Sequence, residues 1–235
     1  MANTKSEQVG GTKTTVLTVI STGLFVLVSS IIVFPVLAGF LASFRPGQEL
    51  FRRGLSLNLD FSTMTLKNYQ YIFSGNSDSL KYLNSFKNSL FLTFVTVVAT
   101  LVVCYFIAYG ISMYEFKLRN VLFFLVIATM MVPFEILMLP LYQEIIKLNL
   151  TDTTWGVVLP GVCGASTIFF FRQYMIGLPK ELLEAGRIDG ASEYGICTKI
   201  MLPIVKPAFA SMAILTSMGS WNNLLWPMLV YRSQA

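Results

Sequence analysis

Histidine is absent from all 235 residues, which removes histidine acid-base catalysis, histidine metal ligation and the Ser-His-Asp arrangement together. Charge is scarce as well. Only 12% of the residues are charged against 54% hydrophobic, where soluble domains carry about 25% charged residues. That shortage excludes an ordinary soluble domain and puts the chain in a membrane. The three cysteines, Cys104, Cys163 and Cys197, lie in or beside apolar stretches without metal-ligand spacing, so they read as small apolar residues. A phosphate loop, G-x-x-x-x-G-K followed by Ser or Thr, is also missing. Its nearest approach, Gly10-Gly11-Thr12-Lys13-Thr14, has threonine at a required glycine and no strand before it. The chain therefore reads as no enzyme, with no cofactor and no metal, and embedded lipid chemistry has no constellation to support it. Energy from ATP would have to enter through another chain. The net charge of +5 does not imply a nucleic-acid partner, because the basic residues stand singly or in pairs without aromatic interleaving. Lipid headgroups and topology account for them.

What the chain does have is apolar runs long enough to span about 30 Å of hydrocarbon as helices. Five are visible, and the expected fold class is all-α, polytopic. The first, residues 15–44, carries no charge from 16 to 41 and is longer than the apolar core of a cleaved signal peptide, so it reads as a retained anchor behind a polar tail, 1–14. Pro35 is expected to bend it. The second run covers 88–113. A short charged link with Glu115, Lys117 and Arg119 follows, making it an antiparallel neighbour of the third, 121–142, which is interrupted by Pro133, Glu135 and Pro140. A fourth covers 155–171, with Pro160-Gly161 inside it and Arg172 at its exit. The fifth begins after Pro207 and reaches toward Val230. Between the first two lies a polar excursion, 45–87, with Arg52, Arg53, Asp60, Lys67, Asp78 and Lys81. Counting crossings sets this excursion opposite the N-terminus and the island 178–207 on the N-terminal side. A slight excess of Lys and Arg on that side favours a cytoplasmic N-terminus.

The island 178–207 is charged and helix-prone. Pro179 suits a first helical turn, and Leu182, Leu183, Ala185 and Ile188 are expected to form one apolar side. Asp189-Gly190 turns the chain. A second helix is expected from Ser192, with Tyr194, Cys197, Ile200 and Met201 as its buried stripe and Pro203 as its end. Such a helix-turn-helix at the membrane surface is built like a docking surface.

Inside the crossings, Glu135 is the carboxylate that stands out. An ionisable residue at that depth is a functional candidate, with a structural role at the proline kink, a place on a solute path, or proton coupling as its readings. Arg172 reads as a boundary residue whose stem snorkels to headgroups. In the fifth run, Trp221, Asn222, Asn223 and Trp226 offer the aromatic faces and amides that hold saccharides. Tryptophans also anchor helices at the boundary, and amides also knit helices together.

The island resembles the cytoplasmic loop, called the EAA motif, of permease subunits in bacterial binding-protein-dependent ABC importers. It reads Glu184-Ala185-Gly186, Asp189-Gly190-Ala191 and Ile200-Met201-Leu202-Pro203, with Gly186 in place of the family's usual second alanine. Asn88-Ser89, Leu139-Pro140-Leu141-Tyr142, Phe170-Phe171-Arg172-Gln173, Trp221-Asn222 and Trp226-Pro227 are similar to the sugar-importing branch, the maltose-type and glycerol-phosphate-type permeases. The resemblance implies the type I importer permease fold with six crossings, one more than is visible, so the last helix is expected to be lacking. It also implies a second permease subunit, two ATPase subunits that grip the loop, an extracellular solute-binding protein, the bacterial inner membrane, and a saccharide, polyol or glycerol phosphate as solute. Glu184 would meet a basic or backbone donor of the ATPase, and Gly190 would allow the turn. The alternatives are a proton-coupled secondary transporter relying on Glu135, a channel lined by Asn222 and Asn223, and a membrane scaffold without transport.

Overall fold

The computed structural model describes residues 8–46 and 64–232, with side chains omitted at 8–14, Ser77 and Ser79. Arg52, Arg53 and Asp60 of the expected excursion, and residues 1–7 of the expected tail, lie outside the described residues. Among those described there is helix and no strand. The chain divides into two compact units, Met1–Asn84 and Ser85–Ala235.

In the first unit, α1 (Gln8–Ser43) starts inside the expected tail and runs through Pro35 without a break. The missing proline N–H leaves one carbonyl unbonded, yet no interruption follows. A short helix, α2 (Lys67–Phe73), folds against the end of α1. The Asn68 amide donates to the Ser43 and Arg45 carbonyls at 2.8 and 2.7 Å, and the Tyr69 and Ser43 hydroxyls meet at 2.6 Å.

The long helix α3 (Ser77–Met113) begins in the first unit and runs into the second. It starts well before the expected boundary at 88, so helix replaces the last part of the excursion. Next come α4 (Arg119–Met130) and α5 (Phe134–Lys147), bent by 102°. The break falls where expected: Pro133 adopts an extended conformation, which proline also favours for the residue before it. The bend means that the third run does not pass straight through, since α4 alone reaches only about 18 Å at 1.5 Å per residue. In the fourth run, α6 (Thr154–Val158) tightens into a 3₁₀ turn, Leu159–Gly161, before α7 (Ala165–Ile176) departs at 48°. The loop helices α8 (Glu181–Ile188) and α9 (Glu193–Ile204) follow. Beyond them, α10 (Lys206–Trp221) is bent 74° from α9, and α11 (Leu225–Val230) follows a break at Asn222–Leu224. Among the described residues, two helices are long and apolar enough to cross a membrane uninterrupted, and the count rises to five if each bent pair is one span.

The core of the second unit is organised by α3. Leu101, Cys104, Tyr105, Ala108 and Ile111 recur at helical spacing and meet Ile168, Phe171 and Met175 of α7, Ile196, Cys197 and Met201 of α9, and Ala208 and Met212 of α10. Tyr105 is its hub at 1% exposure, with its ring beside those of Phe171 and Phe209. A smaller cluster joins Tyr142 and Ile145 of α5 to Trp226 and Val230 of α11.

Candidate functional site

The island folds as the expected helix-turn-helix, with corrections to which residues face inward. α8 ends in a Schellman cap: the Gly190 N–H donates to the Arg187 carbonyl at 3.0 Å and the Ala191 N–H to the Gly186 carbonyl at 2.9 Å. Gly190 holds φ +77°, the left-handed region where a Cβ is penalised. Leu183 and Gly186 form the buried side of α8, while Ala185 and Ile188, expected there, are exposed, Ile188 at 85%. The reason is close approach. A Cβ on Gly186 would stand 2.7 Å from the Ile200 Cδ1 of α9 and 3.1 Å from the Ile196 Cγ1. This contact sets the rotation of α8.

In α9, Ser192 caps the start through a bond from the Gly195 N–H. The buried stripe is Ile196, Cys197 and Met201. Tyr194, expected in that stripe, is 71% exposed. Residues Ile196–Met201 form a π-helical segment, and helix continues through Leu202–Ile204, so Pro203 does not end it. Proline clashes with the carbonyl four residues back and cannot donate to it, and the wider π turn ahead of Pro203 accommodates both effects.

Polar ties fasten the loop to the helix ends. The Tyr105 hydroxyl donates to the Cys197 carbonyl at 2.6 Å within the core. Glu193 accepts from the Tyr114 hydroxyl at 2.7 Å and from the Arg187 Nε at 2.7 Å, and this ion pair closes the turn between α8 and α9. Arg187, then Tyr114, hold the Glu193 carboxyl below the usual carboxylate range. Lys180 does the same for Glu115, across a 2.8 Å pair. Glu184 is exposed, and its carboxylate makes no hydrogen bond or ion pair among the described residues. Glu184, Ala185, Ile188, Asp189, Gly190, Ala191 and Tyr194 together form the loop's outer face, with Pro203 exposed and Ile200 and Leu202 half-buried.

The candidates at the other end separate. A cavity of about 520 Å³ opens between α3, the α4–α5 junction, the α6–α7 break and α10, and Asn223 and Trp226 line it. Glu135, Trp221 and Asn222 do not. Glu135 sits exposed in the first turn of α5. Trp221 meets Phe86 edge to face at 5.6 Å, and the Asn222 amide bonds back to the Met218 carbonyl at 2.8 Å. Trp226 is 2% exposed and its indole N–H donates to the Val157 carbonyl at 3.2 Å, so much of it serves packing. Arg172, read as a snorkelling boundary residue, is instead buried with its guanidinium 3.6 Å over the Phe123 ring. Sequence reasoning missed the cavity's hydroxyls, among them Thr96 and Thr100 of α3 and Thr216 and Ser220 of α10. Each pair is spaced i, i+4, a signal that was available. No group able to hold a metal ion occurs among the described residues.

Comparison with known proteins bears on both features. Residues 105–234 match the family described as binding-protein-dependent transport system inner membrane component. An arabinooligosaccharides transport system permease protein, AraQ, of Halalkalibacterium halodurans is 50% identical over 209 residues, 89% of this chain and 74% of that protein. AraQ of Bacillus subtilis is 45% identical over 89% of this chain and 74% of its own length. An sn-glycerol-3-phosphate transport system permease protein, UgpE, of Rhizobium meliloti is 34% identical over 85% of this chain and 71% of its own length. A crystal structure of a bacterial ABC transporter involved in the import of the acidic polysaccharide alginate superposes with a TM-score of 0.79 at 23% identity, over 100% of this chain and 78% of that one. At that identity the likeness concerns the fold.

Proposed function

The chain belongs to the family of binding-protein-dependent transport system inner membrane components, and on that premise we propose that it is a transmembrane permease subunit forming half of the solute pathway of an ATP-driven carbohydrate importer. The observation that carries the reading is the two-faced loop. Its inner face is buried against α3, α7 and α10, while Glu184, Ala185, Ile188 and Tyr194 stay outside. A surface fixed on one side and exposed on the other, with Ala185, Ile188 and Tyr194 beside Glu184, transmits force when a partner grips it. Two ATPase subunits, one on this loop and one on that of a second permease subunit, would draw the loops together on dimerising and tilt the crossings from inward-open to outward-open. Hydrolysis would reset them, and an extracellular binding protein would deliver the solute. The reading places residues 15–235 in the bacterial inner membrane as one transmembrane domain, with the tail 1–14 and the loop 178–207 in the cytoplasm. The solute is a saccharide or polyol.

Reconstitution tests this. Vesicles holding the complex purified through a tag on this subunit should take up arabinotriose or maltotriose only when ATP and the binding protein are present, and Ile188→Asp should strip the ATPase during purification. Uptake by the isolated chain, or uptake driven by a proton gradient without ATP, would overturn it.

A further inference from the structure

Two arginines stand together where α4 begins and α7 nears its end. Arg172 of α7 is 8% exposed, with its guanidinium 3.6 Å over the Phe123 ring of α4. Phe123 lies one helical turn beyond Arg119, so the two guanidiniums share one face of α4. The charge that acts on Arg172 is of its own sign, that of Arg119. The carboxylate that senses Arg119, Glu115, is already held by Lys180 at 2.8 Å. The pair is short of an anion.

Hydrogen bonding shows the same shortage. Arg172 makes no hydrogen bond or ion pair among the described residues, and protein closes off its Nε. Arg119 donates through Nη2 to the Ser112 carbonyl at 3.0 Å, while its Nε is sealed without a partner. Each arginine keeps an open Nη, so a ligand reaches the fork from its outer edge. A cation withdrawn from water without an anion is strongly disfavoured, and a ring face compensates only part of that loss. Helix α4 adds its own polarity, opening at Arg119 without a side-chain cap and leaving first-turn N–H groups turned toward the same end. This is the loop's end of the unit, because Tyr114 and Glu115 bond to Glu193 and Lys180. Beside the arginines, Leu118, Leu122 and Leu125 form an exposed apolar flank.

We propose that Arg119 and Arg172 hold the phosphodiester headgroup of an anionic phospholipid in the leaflet on the loop's side, with an acyl chain along the exposed leucines of α4. A guanidinium fork matches phosphate oxygens, and basic pockets between helices at the membrane boundary suit anionic headgroups. A free phosphate would meet the arginines and leave the leucines uncovered, whereas a lipid serves both. A zwitterionic headgroup would bring a further cation beside two guanidiniums and the exposed Lys117. Bound there, the lipid ties the start of α4 to the end of α7, next to the loop. Only the choice of the cytoplasmic leaflet rests on the importer reading.

The experiment uses the complex purified through a tag on this subunit and counts retained lipids by native mass spectrometry as phosphatidylglycerol or phosphatidylcholine is titrated in. The parent should hold phosphatidylglycerol about tenfold more tightly than phosphatidylcholine, a comparison that needs no substitution. Arg172→Gln and Arg119→Gln should each weaken retention of phosphatidylglycerol about tenfold, the loss of one charge-assisted contact. Arg172→Lys should recover part of it, and Lys206→Gln, which removes an exposed cation just after the loop, should leave it unchanged. No preference between the two lipids, displacement of phosphatidylglycerol by an equal concentration of inorganic phosphate, or equal effects of Lys206→Gln and Arg172→Gln would overturn the lipid site, and ATP-driven sugar uptake alongside any of these would leave the importer reading intact. Absence of such uptake by the unmodified complex would instead overturn the importer reading, with the lipid preference still standing.

Discussion

The Tyr105 hydroxyl donates to the Cys197 carbonyl at 2.6 Å, joining the C-terminal part of α3 to the π-helical segment of the loop. Both residues are buried, Tyr105 at 1% exposure, so no water replaces the bond. Through it a displacement of the loop acts directly on α3. Tyr105→Phe should therefore keep the packing of the ring and remove one of two bonds to a carbonyl that still accepts the Leu202 N–H, lowering stability by about 0.5–1.5 kcal/mol. The expected signature is a lower thermal midpoint of the purified complex together with fewer solute molecules moved per ATP hydrolysed. An unchanged ratio of uptake to hydrolysis would separate this bond from coupling.

Two glycines make opposite predictions from the same kind of crowding. At Gly156 a Cβ would overlap the Leu150 carbonyl, which is backbone and cannot rotate away. Gly156→Ala should destabilise by about 1–3 kcal/mol. At Gly186 the obstruction is Ile200 Cδ1 at 2.7 Å, the end of a flexible side chain. Gly186→Ala gains up to about 1 kcal/mol of helix propensity and should leave the thermal midpoint within a degree or two of the parent, whereas Gly186→Leu should lower it. Thermal denaturation of the three variants in one detergent compares them.

The ion pair that closes the loop predicts a pH dependence. The Glu193 carboxyl titrates below its ordinary range, so its contribution is complete above that range and is lost as pH falls through the depressed value. Arg187, raised by the same partner, stays charged throughout. The parent should thus exceed Glu193→Gln in thermal midpoint at pH 7, and the gap should close below about pH 4. A gap that widened in acid would contradict the sign.

Attachment of the ATPase should respond to the outer face of the loop and not to its inner one. Glu184→Ala removes a charge free of internal partners and should weaken attachment roughly tenfold, the loss of one charge-assisted contact, with no change in thermal midpoint. Gly190→Ala forces a side chain into φ +77° and should lower both. Titrating purified ATPase against immobilised permease measures the first quantity, and full attachment in both variants would remove the loop from the interface.

Much of this protein was legible in its residues. Uninterrupted apolar runs dictate membrane helices because the bilayer leaves the backbone no other partner. Asp189-Gly190 announced a turn because only glycine enters the left-handed region without strain, and Pro133 announced an interruption for an equally local reason. Membership of the importer family was carried by the strings around Glu184 and Trp221, since a docking motif is short and contiguous. Three things needed the tertiary structure. Ile188 and Tyr194 are exposed because the contact of Gly186 with Ile200 sets the rotation of α8 on α9, a pairing absent from either helix alone. Pro203 continues a helix because a π turn ahead of it makes room for its ring. The cavity gathers Thr100, Thr216 and Asn223 from distant parts of the chain because the bends near Pro133 and Gly161 turn helices aside. Local conformation follows from neighbouring residues, but which side chains share a space follows from how bent helices pack.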